Sequence, residues 1–210
     1  MGKRLLVASP KGGVGKTTTA RNLAVAAVMK GLKVAMVDLD EQHTLGQWWA
    51  DRPDEAPAID CFQATMEDTE GLLKALAGKD YDLVVFDTPP SIELYPEDMK
   101  RLVLAADLVL IPTGVSKDDT RSTAAFMKTV RGLKSRGAFV LSKVNRRTGS
   151  FLKGKRALME TGSICPFEIP VYEDFNTVAE LGIGILELKG AKGADEIAGV
   201  WTFAQAEMAL

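Results

Sequence analysis

Cysteine and histidine are scarce in this sequence, and their scarcity weighs against a metal-binding or iron–sulfur protein. Cys61 and Cys165 are the two cysteines among 210 residues, and His43 is the one histidine. They form neither a CxxC pair nor another spacing that zinc and iron–sulfur sites use. We therefore expect no metal centre built from thiolates and imidazoles within one chain.

Long hydrophobic runs are also missing. No apolar run approaches the roughly 20 residues that span a bilayer, and the first residues lead into a strand-like segment instead of a signal peptide. The composition, 46% hydrophobic and 26% charged, is that of an ordinary globular protein. A chain of 210 residues can bury one good core but is short for two. We expect a single cytoplasmic domain over residues 1–210.

Short apolar runs alternate with segments of helical period along the chain. The apolar runs predict strands buried on both faces at residues 4–8, 33–37, 59–62, 83–86, 108–111 and 139–144. The periodic segments predict helices at 17–29, 69–77, 96–105, 119–134, 152–160, 177–181 and 194–209, and a further short strand is predicted at 166–169. Such alternation predicts an α/β fold with a doubly wound, mostly parallel sheet flanked by helices.

The stretch SPKGGVGKTTTA, residues 9–20, lies between the first predicted strand and the first helix. Gly12, Gly13 and Gly15 let backbone N–H groups turn toward phosphate oxygens, and the helix that begins at Lys16 adds the positive end of its dipole. In such a loop Lys16 reaches the β- and γ-phosphates, and the Thr17 hydroxyl binds Mg²⁺. The stretch therefore predicts a P-loop nucleotide site.

Two departures from the common GxxxxGK[ST] pattern make this loop specific. Pro10 stands where that pattern has its first glycine, and a second lysine, Lys11, precedes the glycines. Residues 11–18, KGGVGKTT, resemble the deviant phosphate loop of the ParA/MinD family of ATPases. The resemblance implies an Mg²⁺-dependent ATPase whose ATP contacts come from Lys11, Gly12, Gly13, Val14, Gly15, Lys16, Thr17 and Thr18.

The extra lysine has a defined role in the resembled family. There it reaches across an ATP-bound dimer to the phosphates of the partner's nucleotide, so the resemblance gives Lys11 this catalytic role and implies a homodimer. Phosphoryl transfer spreads charge over oxygens that one subunit surrounds incompletely. Lys11 would thus couple nucleotide binding to dimerisation.

Three aspartates follow predicted strands. Asp38 and Asp40 end the second strand in VDLDEQ, and carboxylates two apart on a strand point to the same side. Asp87 ends the fourth strand in LVVFDTPP, in the form of a Walker B carboxylate. By resemblance Asp40 orients the attacking water, Asp87 joins Thr17 in holding Mg²⁺, and Asp38 helps to hold the ion through water. Glu41 departs from the proline that usually follows the second aspartate in this family.

The later part of the chain matches the family less closely. The resemblance is strong to residue 113 and loose afterward, and Asn145, near the end of the sixth strand, stands for an adenine-contacting asparagine. Small partition ATPases of the ParF type share the chain length and the proline before the loop lysine. Because the first strand begins by residue 4, we expect no N-terminal helix–turn–helix extension.

Basic residues are concentrated in one segment although the net charge is only −2. The segment KVNRRTGSFLKGKR, residues 143–156, holds six positive charges and no acid. Partition ATPases bind DNA without sequence preference, and such a segment suits a salt-sensitive contact with phosphates. The candidate DNA contacts are Lys143, Arg146, Arg147, Lys153, Lys155 and Arg156. A role of some of these charges in the dimer interface remains open.

The resemblance therefore implies a cytoplasmic ATPase, associated with the nucleoid when ATP-bound, for plasmid partition, chromosome segregation or positioning of a large complex. A ParB-like or adaptor protein would stimulate its hydrolysis. Two alternatives remain open: a MinD-like ATPase that cycles on membranes, and a metabolic ATP-dependent enzyme of the same superfamily. The last predicted helix lacks Lys and Arg, which disfavours attraction to anionic lipid. The apolar side chains in and after it, Trp201, Phe203, Met208 and Leu210, suit core or interface contacts.

Overall fold

The computed structural model describes residues 2–210, which form eight strands and eight α-helices. The strands, in chain order, are β1 (Lys3–Val7), β2 (Val34–Asp38), β3 (Asp60–Gln63), β4 (Leu83–Asp87), β5 (Leu108–Thr113), β6 (Gly137–Val144), β7 (Ser163–Ile164) and β8 (Ile169–Pro170). The helices are α1 (Lys16–Val28), α2 (Thr44–Ala50), α3 (Thr69–Ala77), α4 (Pro96–Ala105), α5 (Lys117–Gly132), α6 (Gly149–Met159), α7 (Asp174–Glu180) and α8 (Ala194–Met208). Single 3₁₀ turns lie at Ile92–Leu94 and Ile185–Glu187.

The strands form one parallel sheet in the order β3-β2-β4-β1-β5-β6-β7, and β8 also pairs with β6. Parallel strands need crossover connections, which the helices supply. The predicted doubly wound α/β fold is therefore confirmed. The order reverses at β1, and open sheets of this kind bind ligands at such a point, beyond the carboxyl ends of the strands.

Two apolar cores lie on opposite faces of the sheet. Leu5 and Val7 of β1 point into a core with α1 and α8, while Leu6, between them, points into a core with α4 and α5. Successive side chains alternate between faces, so a strand covered on both sides shows a continuous apolar run. This double burial holds the sheet rigid beneath the loops at its edge.

The six longer strands were predicted with bounds within two residues of those observed. The strand predicted at 166–169 is wrong: the chain forms β7 earlier and β8 only from Ile169. Each of these strands pairs with a short part of β6 and has two residues, too few to show a period. Helix α7 also begins three residues before its predicted start at residue 177.

Helix α8 packs along α1 with its apolar side inward. Trp201 and Met208 are 2% exposed, and Phe203 and Leu210 pack against the same core, which confirms the predicted role of these side chains. Within residues 2–210 no helix combines the length and the hydropathy of a membrane span.

Candidate functional site

A pocket of about 250 Å³ lies at the carboxyl ends of the central strands, where the loop between β1 and α1 curls back. Gly13 and Gly15 have φ values of 73° and 88°, in the left-handed region that side chains disfavour. This geometry turns the loop inward above the first turn of α1. The pocket is lined by Gly12, Gly13, Gly15, Lys16, Thr17, Thr18, Asp40, Pro90 and Lys143.

Lys16 is held inside the loop. Its side chain is buried, and its ammonium Nζ donates a hydrogen bond of 3.2 Å to the carbonyl oxygen of Lys11. Burial lowers the pKa of Lys16, and the nearby carboxylates of Asp87 and Asp40 oppose that shift. A buried cation with incomplete solvation is suited to binding an anion such as a phosphate.

Asp87 is a buried carboxylate whose oxygens are free to bind a cation. It is 1% exposed, and neither oxygen has a hydrogen-bond partner of good geometry among residues 2–210. Burial raises its pKa to about 7, although the Thr17 hydroxyl and Lys16 act to lower it. A carboxylate and a hydroxyl are oxygen ligands of the type that Mg²⁺ takes beside phosphates, so these residues fit the predicted ion.

Asp38 and Asp87 lie side by side because β2 and β4 pair in register at these residues. Asp38 is fully buried, and its two oxygens accept the N–H groups of Asp40 and Gly46 at 3.0 and 2.9 Å. Its carboxylate therefore fixes the loop after β2. Asp40 is half-buried at the rim of the phosphate pocket, where one of its oxygens accepts the N–H of Gln42.

Lys11 stands apart from its own pocket. Its side chain is half-buried, and it is not among the described residues that line the phosphate pocket, to which the neighbouring Gly12 contributes. The link between Lys11 and this site is its carbonyl oxygen, which accepts from Lys16. The Lys11 side chain is therefore not placed in the phosphate pocket of its own chain.

A second cleft of about 230 Å³ adjoins the phosphate pocket. It is lined by Gly15, Thr18, Ser142, Lys143, Ile169, Pro170, Val171, Tyr172, Phe175 and Asn176. Buried Arg21 of α1 donates to the carbonyl oxygen of Phe175 at 3.1 Å, and this bond ties one wall of the cleft to the helix that starts at the phosphate loop. Burial lowers the pKa of Arg21 to about 10. Apolar walls with a few polar groups suit a base and its ribose.

Asn145 lies outside this cleft. It is exposed on the loop after β6, and its side-chain oxygen accepts the N–H of Arg147 at 3.0 Å. The structure therefore places Asn145 in a neighbouring pocket with Arg146 and Arg147, away from the phosphate loop. That pocket shares Lys143, Pro170, Val171 and Tyr172 with the cleft.

The six candidate DNA contacts fall into three groups. Arg146 and Lys155 both pair with the buried carboxylate of Glu168, each at 2.7 Å. Lys143 lines the phosphate pocket. The remaining three are exposed, Arg147 on the loop after β6 and Lys153 and Arg156 on α6.

Two residues of the nucleotide region were not predicted there: Lys143 was assigned to the DNA contacts, and Tyr172 was not singled out. Pro90 was expected in the loop after Asp87 that senses the γ-phosphate, and it lines the phosphate pocket. Lys143 lies at the carboxyl end of β6, where the parallel-sheet rule expects ligands. Tyr172 had no such signal, because its place depends on the pairing of β8 with β6.

Comparisons with known proteins agree with this geometry. Residues 5–172 match the model of the CobQ/CobB/MinD/ParA nucleotide binding domain. The maintenance of carboxysome distribution protein A of Gloeobacter kilaueensis is 36% identical over 191 residues, which cover 88% of this chain and 84% of that protein. The chromosome-partitioning ATPase Soj of Thermus thermophilus is 30% identical over 160 residues, 63% of each chain.

A solved structure shares the fold. It is that of a putative plasmid partition protein of Borrelia burgdorferi bound to AMPPNP, with a TM-score of 0.76 at 21% identity, covering 97% of this chain and 100% of the other.

Proposed function

Since the chain belongs to the CobQ/CobB/MinD/ParA nucleotide-binding family, we propose that it is an Mg²⁺-dependent ATPase that forms a dimer around ATP and positions a large cargo. The observation that carries the proposal is the buried Asp87 carboxylate, without a good hydrogen-bond partner among residues 2–210, beside Thr17 and Lys16. Such an arrangement suits Mg²⁺ together with a phosphate.

The residues of the site divide the work of hydrolysis. Thr17 and Asp87 would hold Mg²⁺, which shields the charge of the phosphates when bound. Lys16 binds the β- and γ-phosphates, and Asp40, at the rim of the pocket, orients the attacking water. Asp38 positions Asp40, because a carboxylate oxygen of Asp38 accepts a hydrogen bond from the backbone N–H of Asp40.

Dimerisation is proposed from the position of Lys11. Because its side chain does not line the described phosphate pocket of its own chain, its ammonium is available to the nucleotide of a second copy. The charge that develops on the γ-phosphate is then surrounded by both protomers. Turnover is expected to be slow without an adaptor protein that completes the site.

The cargo is proposed to be bound through that adaptor, while the dimer holds DNA without sequence preference. The relatives' names point to cargoes of two kinds, a protein assembly and DNA. The exposed basic residues Arg147, Lys153 and Arg156 supply the DNA contact, since nonspecific binding depends on neutralising phosphates. This arrangement suits an ATPase that moves along the nucleoid.

The substitution Lys11→Ala tests the mechanism. The variant is expected to bind ATP as a monomer and to lose both dimerisation and hydrolysis, because the missing ammonium acts across the dimer. Sedimentation with ATP and Mg²⁺ and release of phosphate measure the two properties. Asp40→Ala is expected to give the opposite result, a dimer that persists because ATP is not cleaved.

Lys79→Ala is the matched control, since Lys79 is exposed and follows α3, away from the residues of the phosphate pocket. A Lys11→Ala protein that still dimerises on ATP would contradict the proposal. ATP-dependent retention on anionic liposomes would favour a membrane-cycling ATPase instead. Turnover that requires a small-molecule acceptor would favour a metabolic enzyme.

A further inference from the structure

Lys143 has a backbone conformation that lysine rarely adopts. Its φ is 55°, in the left-handed region where the Cβ of an L-residue crowds the backbone. The pairing of β6 with β8 slips at this residue: Ser142 pairs with Ile169 and Val144 with Pro170, so two steps on β6 face one on β8. A bulge of this kind turns a side chain to a new direction, and strained residues cluster at functional sites.

The bulge places the Lys143 side chain over the phosphate loop. Its Cε lies 4.0 Å from the point where a Cβ on Gly15 would stand, and the hydroxyl oxygen of Ser142 lies 2.8 Å from the same point. Lys143 lines the phosphate pocket and the adjoining cleft, and its outer side also lines the pocket that holds Arg146 and Arg147. The lysine therefore lies between the two compartments, against a glycine that leaves room for it.

The charge of Lys143 is available to a ligand. Among residues 2–210 the structure records no ion pair for this ammonium, whereas Arg146 and Lys155, which follow it in the chain, both pair with Glu168. Lys143 is also an exposed side chain at the rim of its pocket. An unpaired cation beside a loop built for phosphates favours an anionic ligand.

We propose that Lys143 is a third lysine of the nucleotide site, whose ammonium binds the α- and β-phosphates; the assignment rests on the proposed ATP-binding function. These phosphates lie between the γ-phosphate and the base, as Lys143 lies between the phosphate pocket and the cleft. They are present in ADP as well as in ATP. Lys143 therefore belongs to nucleotide binding and leaves the set of DNA contacts.

The substitution Lys143→Gly tests this assignment, because glycine accepts the left-handed backbone and removes only the side chain. Its Kd for ADP and for AMPPNP, measured by calorimetry with Mg²⁺, is expected to rise about tenfold or more for both, as for the loss of a charged hydrogen bond. A contact that is equally strong with bound ATP and with the transition state changes KM and leaves kcat unchanged. We therefore expect the variant to have a higher KM for ATP and an unchanged kcat. The unfolding temperature should not fall, which separates this role from a structural one.

The matched control is Lys134→Gly. Lys134 is an exposed lysine after α5 with a φ of 57°, and it lines neither pocket. Its replacement by glycine therefore removes one positive charge and one strained backbone conformation, as Lys143→Gly does. It should bind both nucleotides as the wild type does. Unchanged nucleotide affinity in Lys143→Gly would overturn the assignment, and lost DNA retention in that protein would return the lysine to the DNA surface. A wild type that binds neither nucleotide would instead overturn the proposed function, and this assignment with it.

Discussion

At the scale of single residues, Asp87 is a site residue whose buried charge lowers the stability of the folded protein. Its side chain is fully buried on β4, where desolvation disfavours the ionised form and raises its pKa to about 7. Lys16 and the Thr17 hydroxyl offset part of this cost. Asp87 therefore places a carboxylate where a cation can bind, and it lowers the stability of the folded protein when no cation is present.

The substitution Asp87→Asn is expected to stabilise the metal-free protein at pH 8. Because the folded pKa lies above the ordinary value of 3.8, the stabilisation from the bound proton is complete below that value and is lost as the pH rises through about 7. Thermal unfolding in EDTA should show an increase in Tm of about 3 °C or more at pH 8 and a much smaller one at pH 4.

Addition of Mg²⁺ and ADP provides the control for this variant. The wild type should gain thermal stability from them, and Asp87→Asn should gain far less, because the amide is a poor ligand for the ion. An Asn variant that is less stable than the wild type at pH 8 would show that the carboxylate contributes to the fold.

Residue chemistry in the sequence predicted part of the site. Lys16 could be identified from the glycine-rich loop between β1 and α1, and Asp87 because it ends a buried strand at the ligand-binding edge of a parallel sheet. The end of β6 was a usable signal for Lys143, but the bulge that directs its side chain was not predictable, because it arises where Ser142 pairs with Ile169 and Val144 with Pro170, far along the chain. The same applies to Glu168, which meets Arg146 and Lys155 at sequence separations of 22 and 13.

At the scale of elements, the end of α5 carries a correctable strain. The helix closes with the N–H of Lys134 bonded to Arg131 and that of Ser135 bonded to Val130, at 2.9 and 3.2 Å. Lys134 has a φ of 57° in this closing turn, a position where glycine is preferred. The Cβ of Lys134 therefore strains the backbone at the helix end, and the two closing hydrogen bonds, which join backbone atoms, would form equally well with glycine at this position.

The substitution Lys134→Gly should raise the stability by about 0.5–1 kcal/mol, because glycine adopts the left-handed conformation without a Cβ clash. For a chain of this length the expected rise in Tm is about 1–4 °C. Lys134→Ala removes the same charge and keeps a Cβ, so it should give no gain. An equal gain in both variants would attribute the effect to charge.

The longer elements could be predicted because their burial leaves a clear sequence pattern. β4 reads LVVFD with every residue buried, and α4 begins at Pro96, a residue preferred in the first turn of a helix. β7 and β8 could not be predicted, since two residues show no periodicity and their strand form depends on β6. The start of α7 was placed three residues late, because a helix of seven residues shows few repeats of the helical period.

At the scale of the whole molecule, the charge is unevenly distributed over a nearly neutral chain. Residues 117–156 hold 12 of the 26 basic residues and 2 of the 28 acidic ones. Two of these cations, Arg146 and Lys155, form ion pairs with the buried carboxylate of Glu168. The exposed remainder on α6 and the loop before it forms the surface proposed for DNA.

The double variant Lys153→Ala with Arg156→Ala should weaken DNA binding to a similar degree for all sequences. If both residues contact phosphates, the slope of log Kd against log salt should decrease by about 2, because each contact releases close to one counterion. Binding of labelled duplex DNA with ATP at several salt concentrations measures this slope. Lys30→Ala with Lys79→Ala, two exposed lysines elsewhere, should leave it unchanged.

The bulge in β6 also links the nucleotide site, which Lys143 lines, to the basic surface that begins at Arg146. Arg146 follows Lys143 by three residues, and three residues of extended chain reach at most about 10 Å. Arg146 is anchored in turn to Glu168, one residue before β8. Because so few residues separate Lys143 from this ion pair, we expect a displacement of the lysine at the phosphates to be felt by Arg146 and Glu168 as well.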